Sequence, residues 1–148
     1  MSAQIEKLKK VLELNKDSTE HIATKLMISL FSTVSDHIYI KSAPGIFLVS
    51  NSAHHKFMGG EIAGRTVYDF FPRAIARSFE MEDKRVLETD TPSILTERRP
   101  DRTFNIYEMT TIRIPLHDAT GTPCGLLIFS VNVTPISGPL VSSDPQVF

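Results

Sequence analysis

The 148-residue chain has a single cysteine, Cys124. One thiol excludes an intramolecular disulfide and any zinc site built from several thiolates. Long apolar runs are missing too. The run Leu126-Leu127-Ile128-Phe129 is far short of the roughly 20 residues a membrane-spanning helix needs. Charge of one sign is not in excess: 16 Lys and Arg stand against 17 Asp and Glu, for a net charge of −1. Such a chain has no built-in electrostatic hold on nucleic acid or an anionic membrane. The opening residues Ser2, Gln4, Glu6 and Lys7 lack the apolar core of a secretory signal. These absences point to a cytoplasmic, metal-independent protein. What is present, 41% hydrophobic and 22% charged residues, is the composition of one ordinary globular domain with room for an arm or tail.

Glycine and proline are absent before Pro44, although the chain holds seven and nine of them. Residues 1–33 are instead rich in Lys, Glu and Leu and read as helical. Ile5, Leu8 and Leu12 recur three and four apart, and Ile22 and Leu26 continue their phase. Asp17 followed by Glu20 resembles a capping box at a second helix start. The stripe fits a helix packed on its own domain or a dimerising arm, and the wet outer face favours the arm. At the other end, residues 135–148 carry Pro135, Pro139 and Pro145 among serines and read as a linker or disordered tail.

Between them, residues 34–134 alternate strand and helix patterns, with no internal repeat. Ile38-Tyr39-Ile40 and Ile46-Phe47-Leu48-Val49 flank the turn Ala43-Pro44-Gly45 and predict a hairpin. Asn51 and Ser52 offer a cap for a short helix that ends at Gly59-Gly60. A longer helix follows Pro72 and runs to Thr89. Strands are expected at Ser93–Glu97, Thr103–Pro115 and Pro123–Thr134, the last two joined by a turn at Asp118–Gly121. The order gives an α+β domain, an antiparallel sheet with its helices on one face.

The residues at the joints resemble a PAS domain. Asp36–Lys41 resembles that family's first strand, and Gly45–Asn51 its second strand with the Asn that opens the next helix. Gly64-Arg-Thr-Val-Tyr-Asp-Phe-Phe-Pro72 resembles its Gly-Lys/Arg-Thr-x-x-Asp-Leu-Phe-Pro. Asp83–Thr89 is similar to the end of its long helix, and Pro115–Gly125 to its last hairpin. Val131-Asn-Val-Thr134 stands where the family usually ends in Asp-Ile-Thr, which places Asn132 and Thr134 at the coupling point to an output. Two positions depart from the pattern: Ser42 and Asn132 each replace an Asp, and Pro135 follows, which speaks against helical output from this end.

The resemblance implies a PAS fold, a five-stranded antiparallel sheet with helices on one face, here with an N-terminal helical arm. It implies a sensory, non-enzymatic domain that binds a small molecule or partner, homodimerises, and signals to a linked module. A helix-turn-helix transcription regulator of bacterial type is the first expectation for that module. A diguanylate cyclase or histidine kinase is the alternative, and a ligand-free dimerisation module a third. The pocket would lie between sheet and helices. Ile38, Ile40, Phe47 and Val49 are candidates from the first hairpin. His54, Phe57, Met58, Phe70, Phe71, Ile75 and Phe79 come from the helical block. Tyr107, Ile112, Arg113, Leu127 and Phe129 come from the later strands, with Tyr39 and Tyr68 as further polar groups.

Other chemistries fare less well. Adjacent His54 and His55 point about 100° apart on a helix, so they cannot share a metal. A flavin–thiol photosensor needs a Cys where Asn51-Ser52-Ala53 stands. Haem in this family takes its His from the long helix, and residues 72–89 contain none. No cofactor is therefore expected. Cys124 reads as a semi-buried, inert thiol. Glu80 and Asp83, beside Lys84 and Arg85, read as a solvated, salt-laced face rather than an acid–base pair. Arg98, Arg99 and Arg102 read as an exposed loop.

Overall fold

A computed structural model describes residues 35–136. The expected arm over 1–33, with Ile5, Leu8, Leu12, Ile22 and Leu26, and residues 137–148 of the tail lie outside the described residues. The strands are β1 (His37–Ser42), β2 (Phe47–Ser50), β3 (Ser93–Pro100), β4 (Ile106–His117) and β5 (Pro123–Pro135). They form one antiparallel sheet in the order β2-β1-β5-β4-β3. Between β2 and β3 lie helix α1 (Ser52–Met58), a 3-10 turn at Val67–Asp69, and helix α2 (Arg73–Thr89).

Local chemistry sets these boundaries. The Asn51 side chain accepts from His54 N at 3.1 Å and so caps α1. The same oxygen accepts from Ile38 N at 3.1 Å, which ties the start of α1 to β1. Gly59, at φ 80°, closes the helix in the left-handed region that side chains with a Cβ avoid. Thr66 and Asp69 form a reciprocal capping box around the 3-10 turn. Pro72 caps α2 from just outside it, where its missing N–H costs nothing.

The third strand is longer than expected and the fourth starts later. Arg98, Arg99 and Pro100 are paired strand residues, opposite Glu108, Tyr107 and Ile106. The turn shifts to Asp101–Asn105, held by Asp101, whose carboxylate accepts from Thr103 N and Asn105 N. The fifth strand reaches Pro135, and Ile136 N donates to the Ile106 carbonyl at 3.0 Å. The sheet thus runs past Thr134 into the expected tail. Past Ser130 no β1 partner remains, so a proline there removes no ladder bond on that side.

Strand alternation divides the sheet into two faces. Tyr39, Lys41, Phe47, Arg113, Leu126 and Ile128 face α2, and Met58, Val67, Phe71, Ile75, Phe79 and Val86 cover them from the helical side. Ile38, Ile40 and Val49 form a second cluster on the opposite face, with Leu116, Leu127 and Phe129 packed against it. Fully burying one such aliphatic side chain is worth about 1.5–3 kcal/mol, so both clusters hold the sheet.

Candidate functional site

The face turned to α2 is not uniformly apolar. Lys41, Asp83, Arg99 and Arg113 are all buried there, each 6% exposed or less. They form a ladder with Glu97. Lys41 Nζ donates to Asp83 Oδ2 at 2.8 Å, and Arg113 Nε donates to Asp83 Oδ1 at 2.8 Å. Arg113 Nη1 also reaches Glu97 Oε1 at 2.6 Å. Arg99 closes the ladder, donating to Glu97 Oε2 and, through Nη1 at 2.8 Å, to the Tyr39 hydroxyl. Five charges on β1, α2, β3 and β4 are thus linked through one chain of contacts.

Each member arrives by its backbone position. Lys41 follows Tyr39 by two residues on β1, so it shares that face. Asp83 lies four residues after Phe79 and three before Val86, within the buried stripe of α2. Arg113 pairs with Ile128, and Ser93 with Arg113, which sets all three on the α2 side. Burial pushes the Glu97 carboxyl up, but Arg99 and Arg113 outweigh it and hold it down at about 2. Burial lowers the Arg113 and Arg99 values, yet their carboxylate and tyrosine partners leave both raised. All three groups are charged at neutral pH.

A ring cluster adjoins the ladder. His54 lies on Tyr39, with ring centroids 3.9 Å apart and planes 9° from parallel. His37 stands 5.5 Å from His54 and 4.8 Å from Phe57. Phe47 bridges the two groups: its ring is 6.0 Å from His54 and 4.9 Å from Lys41 Nζ. Burial, then the charge of Arg99, holds His37 down at about 4. Burial, then His37, Arg99 and Lys41, lowers His54 well below the ordinary imidazole range. Both rings are neutral at pH 7. His54 Nδ1 is buried and makes no hydrogen bond, a state that costs roughly 1–3 kcal/mol.

Ten of the pocket candidates lie on the α2 side: Phe47, His54, Phe57, Met58, Phe70, Phe71, Ile75, Phe79, Tyr107 and Arg113. The structure corrects the other six. Ile38, Ile40, Val49, Leu127 and Phe129 belong to the cluster on the opposite face, and Ile112 pairs with Phe129 there. Apolar residues occupy both faces of these strands, so hydrophobicity could not say which face meets the helices. Tyr68 is also corrected: it is 41% exposed and donates to Glu80 at 3.0 Å. Asp83 and Arg99, expected on a wet helix face and in a loop, are buried ladder members. Cys124 is exposed rather than semi-buried. Asn132 and Thr134 are exposed near the end of β5, Asn132 in the left-handed region at φ 54°.

Sequence reading missed Lys41, Asp83, Glu97 and Arg99. Two of them carried a usable signal. Lys41 keeps step with Tyr39, and Asp83 falls inside the apolar stripe of α2 rather than beside it.

Residues 31–136 match the family model of the PAS fold, so the chain belongs to the PAS fold family. No curated protein sequence matches it. Among solved structures it is similar to the VqmA dimer of Vibrio cholerae, described among LuxR-type receptors that bind target DNA. That match has 24% identity and a TM-score of 0.64, over 74% of this chain and 52% of VqmA. VqmA bound to DPO matches with 24% identity and a TM-score of 0.65, over 75% and 58% of the two chains. A sensory box sensor histidine kinase from Vibrio cholerae matches with 19% identity and a TM-score of 0.56, over 82% and 98%. These likenesses show the fold. The chain spans about half the length of the VqmA chains it matches. Among the described residues no helix is long and apolar enough to cross a membrane.

Proposed function

We propose that this PAS domain is the input module of a signalling protein, taking up a small molecule in the interior between its sheet and α2. One observation carries the reading: His54 Nδ1 stands unpartnered in a buried, charged interior, against the Tyr39 ring. Buried polar atoms without partners are rare in folded proteins, and a ligand group would satisfy this one. The VqmA structures, one described as bound to DPO and one as a ligand–DNA complex, support the same reading by analogy of fold. The output we favour is a helix-turn-helix regulator, with homodimerisation through residues 1–33 and coupling at Asn132 and Thr134. A kinase output is the second reading, and the histidine kinase neighbour favours it. Flavin–thiol and haem chemistry are not part of this reading, because Asn51-Ser52-Ala53 directly after β2 holds no Cys and α2 holds no His.

Native mass spectrometry of the protein isolated from cells tests uptake. The expected result is a small-molecule adduct that is lost in His54→Leu. A bare mass, together with no thermal shift across a metabolite library, contradicts the proposal.

A further inference from the structure

The ladder does not balance. Lys41, Arg99 and Arg113 bring three positive charges, and Asp83 and Glu97 bring two negative ones. Neutral His37 and His54 add nothing. Glu82 also acts on Arg113 but is itself paired with the exposed Arg85, so within the ladder one positive charge is left over, and an unmatched buried charge costs several kcal/mol. The place where it is least satisfied is Lys41. Its ammonium has three donors, yet among the described residues it makes one hydrogen bond, to Asp83, and rests over the Phe47 ring. Asp83 is itself shared with Arg113.

Lys41 also lines a cleft of about 50 Å³, walled by the Ala43-Pro44-Gly45 turn, Thr66 to Tyr68, Glu80 and Lys84. At roughly 10–15 Å³ per water-sized group, that is room for about four non-hydrogen atoms. The two carboxylates at the cleft already hold donors: Asp83 has Lys41 and Arg113, and Glu80 has the Tyr68 hydroxyl and Lys84. The group left to recognise a guest is therefore the ammonium.

We infer that the Lys41 cleft receives the carboxylate of a small monoanion, which brings the buried ladder to charge balance. This rests on the small-molecule reading above and assigns the chemistry of the group received at Lys41; His54 is not among the walls of this cleft. A carboxylate of few atoms fits the volume, accepts from Lys41 Nζ, and supplies the missing negative charge.

Acetate is the probe, with acetamide as its neutral match and chloride as the ionic-strength control. The melting temperature of the wild-type protein should rise saturably with acetate and stay flat with acetamide and chloride. Lys41→Met should weaken the acetate response about tenfold or more, the scale of one charge-assisted hydrogen bond. Lys84→Met, at the exposed rim of the cleft, should keep it. If Lys41→Met fails to fold, the wild-type comparison decides alone. Equal responses to acetate and acetamide, no response to acetate, or an unchanged response in a folded Lys41→Met each overturn the inference. A neutral metabolite found bound by mass spectrometry, with no acetate response, leaves the sensory reading standing and removes only the carboxylate.

Discussion

Tyr39 and His54 lie face to face, 3.9 Å apart, and each is tied to a different part of the fold. The His54 backbone N–H is held by the Asn51 cap, and the Tyr39 hydroxyl accepts from Arg99 on β3. The stack thus joins the start of α1 to the far edge of the sheet. Tyr39→Phe keeps the ring and removes the oxygen. It should destabilise the domain by roughly 1–3 kcal/mol, because a buried guanidinium loses an acceptor. Urea denaturation of both proteins measures it, and a difference near zero would mean that Tyr39 carries ring contact only.

Asp83 offers a sharper contrast within one helix. Asp83→Ala leaves Lys41 and Arg113 without their shared carboxylate and should cost about 3–5 kcal/mol. Glu80→Ala breaks only the exposed contacts to Lys84 and Tyr68 and should cost about 1 kcal/mol or less. Equal losses in chemical denaturation would argue against a special role for the ladder.

The histidines predict a pH dependence with a definite sign. His37 has its ordinary value of 6.5 when unfolded and about 4 when folded. Between those values the unfolded chain binds more protons, so stability rises with pH and is lost as pH falls from 6.5 toward 4. The shift corresponds to about 3 kcal/mol from His37. His54, lowered in the same direction, steepens the loss. Glu97, held at about 2 against an ordinary 4.5, adds a further loss below pH 4.5. Urea midpoints collected from pH 4 to 7 should slope upward, and His37→Phe should flatten the slope. A flat wild-type profile would contradict the burial of both rings as neutral groups.

Gly125 tests the register of the central strands. A Cβ there would stand 2.6 Å from the Lys41 carbonyl oxygen, which is backbone and cannot swing aside. Gly125→Ala should therefore push β1 from β5 and cost roughly 1–3 kcal/mol in a thermal or urea melt. Gly121→Ala, in the open turn at φ 82°, carries strain but no clash and serves as the comparison.

Much of the fold was legible because its joints carry residues with one physical use. Asn51 reads as a helix cap, Gly59 as a helix end and Asp118–Gly121 as a turn, and each is found in that role. The site was less legible, for a reason visible on β1. Ile38 and Ile40 are the apolar residues, yet Tyr39 and Lys41 are the ones that face α2. With both faces covered, alternation still divides the strand, but polarity no longer labels the inner side. Charge misled in the same way on α2, where Asp83 among charged neighbours resembles surface. Its place in the apolar stripe hints at burial, and the partners Lys41 and Arg113, 42 and 30 residues away, make that burial possible.

A crystal structure of the protein isolated from cells, with no ligand added, tests most directly whether this interior takes up a small molecule. Electron density for a small molecule is expected beneath α2, within hydrogen-bond reach of His54 or Lys41. An interior closed by Tyr39, Phe47 and His54 alone, unchanged after soaking in a metabolite mixture, would contradict that uptake.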